Sequence, residues 1–162
     1  CYSLMGNYYL RINKNDSAIY YYYEAVALSN MINDANFKGT TYTKIGHVYS
    51  LSKNWKKTLE YNKLALEERE KAGIKSLLSS SYLNLGGNYI ELNDYKTAEE
   101  CIKKGQQYAL ESNSRTFILL SYQKFAQLYS KMGNFSLAYT RLSLCSDCYK
   151  FGYHFYAAVF QA

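Results

Sequence analysis

The chain of 162 residues contains no proline and only 9 glycines. Proline breaks helix interiors and glycine softens them, so their scarcity suits an all-helical chain with short connections. No run of 18 apolar residues occurs, which excludes a helix that spans a membrane within this segment. Histidine is nearly absent: His47 and His154 are 107 residues apart. No His/Cys/Asp grouping has the spacing of metal ligands. No nucleophile–base pair or paired carboxylates stand out, so no catalytic residue and no cofactor are expected. No secretory leader is visible. The first residues already follow a helix pattern and the last ten start another. The chain is therefore expected to be a piece of a longer protein, which makes the missing leader uninformative.

The four cysteines form no disulfide framework, which favours a reducing compartment and leaves an extracytoplasmic placement open. Cys145-Ser146-Asp147-Cys148 is formally a C-x-x-C. A redox role needs the first thiol at a helix start, where its pKa falls. The pattern instead places this pair well inside a helix, so Cys145 reads as a small buried hydrophobe. Charge is uneven: residues 113–162 hold five basic groups against Asp147, within a formal net charge of +6. That end reads first as solvated helix surface; it could also favour an acidic partner, whereas nucleic acid needs a denser Lys/Arg stripe.

What is present is a period of 40 residues. Gly6, Gly46 and Gly86 are 40 apart, and Ala126 takes the fourth place. Tyr2, Tyr42, Tyr82 and Tyr122 keep the same step, as do Tyr9, Tyr49, Tyr89 and Tyr129. The offsets of 4 and 7 place each tyrosine–small–tyrosine set on one helical face. A small residue between the tyrosines lets a second helix approach closely. That second helix has its own columns: Ala18, Thr58, Ala98, Ala138; Tyr22, Asn62, Ile102, Leu142; and Ala25, Ala65, Gly105, Cys145. Alternating small and bulky columns predict interlocking helices.

Turn signals stay in register. Lys53-Asn54-Trp55, Asn93-Asp94-Tyr95 and Gly133-Asn134-Phe135 recur within repeats, where Asn or Asp can cap the next helix. Asn33, Gly73 and Asn113 recur between repeats as residues that tolerate a left-handed helix end. The predicted helices cover 1–12, 16–32, 36–52, 55–72, 75–92, 95–112, 115–132 and 135–150. The expected organisation is one array over 1–162, with repeats at about 1–34, 35–74, 75–114 and 115–152 and a further helix starting within 153–162.

The repeated apolar-Gly-x-x-Tyr core, the alanine column and the aromatic at the turn resemble the tetratricopeptide repeat family over nearly the whole chain. The period departs from that family's common 34, and the proline that often closes its repeats is missing. The long unit is similar to those of bacterial signalling and peptide-binding regulatory arrays. The resemblance implies an all-α, right-handed solenoid of antiparallel helix pairs, with a concave groove lined by the first helices. It implies protein or peptide binding in place of chemistry.

By that analogy the groove is lined by Asn7 and Leu10; Thr43, His47 and Ser50; Leu83 and Ile90; and Gln123 and Gln127, with Ser3, Gly87 and Ser130 beside them. These side chains are polar but almost uncharged. Asn7 suits a clamp for a peptide carboxylate, yet Thr43, Leu83 and Gln123 replace the cations such a clamp needs. Lys44 and Lys124 are expected to point elsewhere. Amide and hydroxyl groups could instead bond an extended peptide backbone. The 20 tyrosines exceed what the packing columns use, and Tyr20–Tyr23 cannot all face inward, so a convex tyrosine surface is the other candidate for partner contact. Three roles follow: a noncatalytic protein- or peptide-binding module, an input domain of a bacterial signalling protein, and, against the charge pattern, an RNA-binding helical repeat.

Overall fold

Helices dominate because each predicted segment carries its stop signal and its apolar columns at the helical spacing. The computed structural model describes residues 1–151, with side chains described through residue 144. It contains α1 (Tyr2–Arg11), α2 (Asn15–Met31), α3 (Ala35–Leu51), α4 (Trp55–Ala72), α5 (Lys75–Glu91), α6 (Tyr95–Glu111), α7 (Arg115–Lys131) and α8 (Phe135–Phe151). Each boundary lies within one residue of its prediction. No strand occurs among the described residues. The side chains of Cys145 and Cys148, His154 and the further helix expected from 153 lie outside what is described.

Turns of two or three residues join successive helices and reverse the chain. Every turn holds one residue at positive φ: Asn13, Asn33, Lys53, Gly73, Asn93, Asn113 and Gly133. The following residue then caps the next helix where it is Asn or Asp. Asp34 accepts from the Phe37 N–H at 2.8 Å, and Asn54, Asp94 and Asn134 accept from Lys57, Thr97 and Leu137 at 3.2 Å. Such a cap contributes about 1 kcal/mol.

The chain forms two compact units, Cys1–Ser81 and Tyr82–Ala162. In the first, Ala18, Tyr22, Val26, Ile45 and Val48 form the core, with Tyr9, Tyr42, Tyr49 and Tyr61 against it. In the second, Leu83, Ile90, Ala98, Ile102, Phe125 and Leu128 form one cluster, with Tyr89 and Tyr129 at its edge. Ala109, Ile118 and Tyr122 form another.

The small column lies where the second helix comes closest. A Cβ on Gly6 would stand 2.4 Å from the Tyr22 ring, and one on Gly86 would stand 2.6 Å from Ile102 Cγ1. At Gly46 the nearest atom is Asn62 Oδ1, at 3.1 Å. Tyr82 stacks on Tyr108 with ring centroids 5.8 Å apart, and Ala126 is buried. Tyr2 departs from its column: it is exposed on the first turn of α1. The position that corresponds to Tyr108 is Leu28, also exposed, so Tyr2 has no aromatic face to stack on.

Candidate functional site

The first-helix faces of the two units present different chemistry. In the first unit, Asn7 is already engaged: its Oδ1 accepts from the Tyr22 hydroxyl at 2.8 Å. Thr43 donates to the Gly39 carbonyl at 3.1 Å, and Ser50 donates to the His47 carbonyl at 2.7 Å. Both hydroxyls thus turn back onto their own helix, as Ser and Thr in helices commonly do. Leu10 packs against the core, and His47 is exposed.

Lys44 does not point away from this face, as the spacing had suggested. Its ammonium donates to Ser3 Oγ at 2.7 Å and lies 5.8 Å from the centre of the Tyr22 ring. Burial pushes its pKa down and pushes that of Tyr22 up. The alkyl stem of a lysine can cover apolar surface while its charge stays at the edge, and one column offset does not prevent that.

In the second unit, Leu83 and Ile90 are corrected from groove to core. Both are fully buried, in one cluster with Ile102, Phe125 and Leu128. The reason is the small residue opposite: a Cβ on Gly105 would meet Leu83 Cδ2 at 2.9 Å, so the leucine falls into α6. Gly87 is covered in turn by Lys124, whose Nζ would be 2.9 Å from a Cβ placed there. Burial lowers the Lys124 pKa, with the Glu91 charge acting the other way. Glu91 accepts instead from the Gln127 amide at 3.1 Å.

The structure brings Gln123, Gln127 and Ser130 together along one side of a cavity of about 400 Å³ between α7 and α8. Phe135, Tyr139 and Leu142 line the other side above Ala126 and Ala138. Sequence reasoning missed these three apolar residues and the two lysines. Lys44 and Lys124 are 80 apart, one per unit, and that recurrence was the available signal.

Among the described residues, no group of three or more His, Cys, Asp or Glu side chains could hold a metal, and no helix is long and apolar enough to cross a membrane. Half-buried Tyr9 and Tyr21 of the first unit stack 5.2 Å apart, and the hydroxyl of exposed Tyr23 shares a hydrogen bond with that of half-buried Tyr61.

Two solved structures resemble this arrangement. BtubC (BKLC) from P. vanneervenii superposes with a TM-score of 0.79 at 19% identity, over 94% of this chain and 64% of that one. The apo form of RapI superposes with a TM-score of 0.76 at 24% identity, over 92% of this chain and 42% of that one. The chain thus spans less than two thirds of either protein. At these identities the likeness shows the fold, a helical-repeat solenoid. No curated protein matches the sequence. Residues 79–111 match the tetratricopeptide repeat family. The resemblance carried by the glycine and tyrosine columns is thus matched over residues 79–111, and a similar helix-pair unit recurs among the described residues around them.

Proposed function

We propose that the chain is a noncatalytic module that binds a protein or peptide segment on its first-helix faces. Tetratricopeptide repeats serve protein–protein interaction, and the faces described here suit that use. One observation carries the reading. Each unit holds a half-buried lysine beside its first-helix residues, Lys44 donating to Ser3 Oγ and Lys124 lying over Gly87 within the field of Glu91. Burial lowers the pKa of both, and an acidic group from a ligand would favour their charged forms. In the second unit the Gln123 side chain and the apolar cavity lie alongside.

In the narrower form of this proposal, the module is the input domain of a bacterial signalling protein. Binding then shifts a pre-existing equilibrium of the array and an attached output domain responds.

A peptide library panned against the full chain tests the reading. Enriched peptides are titrated against wild type and against Lys124→Met and Gln123→Ala. The expected result is a loss of affinity of about tenfold, or 1.4 kcal/mol, for Lys124→Met. A library that enriches nothing, or peptides indifferent to both changes and sensitive to Tyr20 and Tyr23, would place recognition elsewhere. Salt-dependent retention on single-stranded RNA would support the RNA reading instead.

A further inference from the structure

A polar cavity of about 340 Å³ opens in the first unit where α2 ends, α3 begins and α4 ends. All three helices are described from end to end. The charged part of the lining is Asp34, Lys38, Glu68 and Lys71. The second unit fills the matching place differently. Eighty residues on, Ala109 and Ile118 stand where Ser29 and Lys38 stand, and they pack with Tyr122 in an apolar cluster. The shared backbone plan thus accepts an apolar seal here. In the first unit Lys38 lies 5.9 Å from the centre of the Tyr42 ring and reaches Glu68, which is only 8% exposed. Well-packed apolar residues often stabilise as much as a buried ion group of similar volume, so folding alone does not call for these charges.

We infer that this cavity binds a small zwitterion, a free α-amino acid with a polar side chain. The inference is separate from the first-helix faces proposed above and does not depend on them. It follows from the hydrogen-bonding capacity left in the lining. Lys38 and Lys71 both donate to Glu68 Oε1, at 3.1 and 2.8 Å. Each ammonium therefore keeps further N–H groups, and Glu68 Oε2 is left over. Asp34 spends one oxygen on the Phe37 N–H and keeps the other. The lining thus offers two cations and two carboxylates, with unspent capacity of both signs. A simple anion would be repelled by Glu68 and Asp34, and a simple cation or metal ion by Lys38 and Lys71. A ligand that carries both charges on neighbouring atoms matches both. Its carboxylate meets the lysines, and its ammonium meets Asp34 and Glu68.

Size and the rest of the wall narrow the class. Pockets that hold small molecules begin at about 300 Å³, so this one suits a metabolite and not a folded partner. Asn30 and Asn33 add amide groups, while the Ser29 hydroxyl is already spent on the Val26 carbonyl at 2.6 Å. The one apolar side chain in the lining is that of Ala35. A polar ligand side chain therefore finds amide partners, and an apolar one finds little surface to cover.

The test titrates the full chain with free glutamine, asparagine, serine and threonine, read by calorimetry and by NMR chemical shifts. The tightest of the four is then compared with its N-acetyl form, which lacks the ammonium, with its α-amide, which lacks the carboxylate, and with leucine, which lacks the polar side chain. Two protein variants accompany them. Lys71→Met alters a side chain that is 63% exposed, and Asp34→Ser removes a carboxylate but keeps an oxygen for the helix cap. Both are checked by thermal melting.

The expected result is saturable binding of at least one of the four with a Kd of about 1 mM or below, and chemical shifts centred on residues 29–38 and 68–71. Each analogue and each variant should weaken it roughly tenfold or more. Equal binding of the N-acetyl form would make this an anion site, and equal binding of the α-amide a cation site; either overturns the inference. Equal binding of leucine would overturn the polar side chain. Shifts centred elsewhere, or no binding of any of the four up to about 10 mM, would overturn the site itself. The analogues act on unaltered protein, so they decide the matter even where a variant melts early.

Discussion

The two compact units fill one backbone plan with different interiors. Residues 80 apart occupy matching places, so the substitutions between units can be compared directly. Gly6 faces Tyr22 in the first unit, and Gly86 faces Ile102 in the second. Lys38 in the first unit pairs with Glu68 at 3.1 Å, while its counterpart Ile118 sits in an apolar cluster with Ala109 and Tyr122. Arg69 is buried beside Glu68, donates to Ser81 Oγ at 2.8 Å and leaves its Nε without a partner. The 40-residue period therefore constrains size at each position, and constrains polarity much less. The first unit keeps its polar interior by internal hydrogen bonding, as where the Tyr22 hydroxyl donates to Asn7. Among the described residues the second unit buries fewer polar side chains, Asn88 and Ser121 among them, and Ser121 donates to the Ile118 carbonyl at 2.7 Å.

The largest effect should come from the position where both units agree. Leucine at Gly6 or Gly86 must displace a fully buried ring or an isoleucine, at a cost of about 2–3 kcal/mol each. Urea unfolding of both variants checks this. A variant that melts like wild type would show that its small residue is not a close-packing site, and the two units would no longer share one plan.

A smaller effect should separate the units by pH. Burial pushes the Glu68 carboxyl up, but hydrogen bonds and charges from Lys71 and Lys38 outweigh it and hold the pKa below the usual value. A carboxyl whose folded pKa is depressed stabilises the fold above its unfolded pKa, and that contribution is lost as pH falls through the folded one. Glu68→Gln should cost about 1–2 kcal/mol at pH 7, and the gap to wild type should narrow below about pH 4. Ile118→Val in the second unit should show a gap that does not change with pH. Parallel pH profiles for the two variants would mean that the Lys38–Glu68–Lys71 group adds nothing beyond packing.

The smallest effect contrasts neighbours. Gly87 lies beside Gly86 on α5, but the three atoms nearest a Cβ there all belong to the end of the Lys124 side chain. That lysine can swing aside, so Gly87→Ala should stabilise by about 0.5–1 kcal/mol through helix propensity. A loss of stability on thermal melting would show that Lys124 is pinned over the glycine.

Much of the fold was legible because its signals are local and repeated. Asn33, Gly73 and Asn113 announce helix ends, since a left-handed residue is cheap only for such types. Lys53 also adopts positive φ, and no local preference foretold it; its place in the turn did. The candidate site was only partly legible. Counting from the glycine column put Gln123, which is exposed, on the same face as Leu83 and Ile90, which are buried. Column position states which way a Cα–Cβ bond points and not what stands in front of it. Leu83 is buried because Gly105 leaves room for it, and Lys44 reaches Ser3 because a long side chain is not bound to its column.

By itself, then, the sequence determined the eight described helices, their turns and the places where helices come closest, because periodicity, caps and small residues act over a few neighbouring positions. Only the tertiary structure decided which first-helix side chains are buried and where Lys44 and Lys124 end. Burial and charge neutralisation depend on residues that meet across helices, and those meetings exist only once the chain is packed.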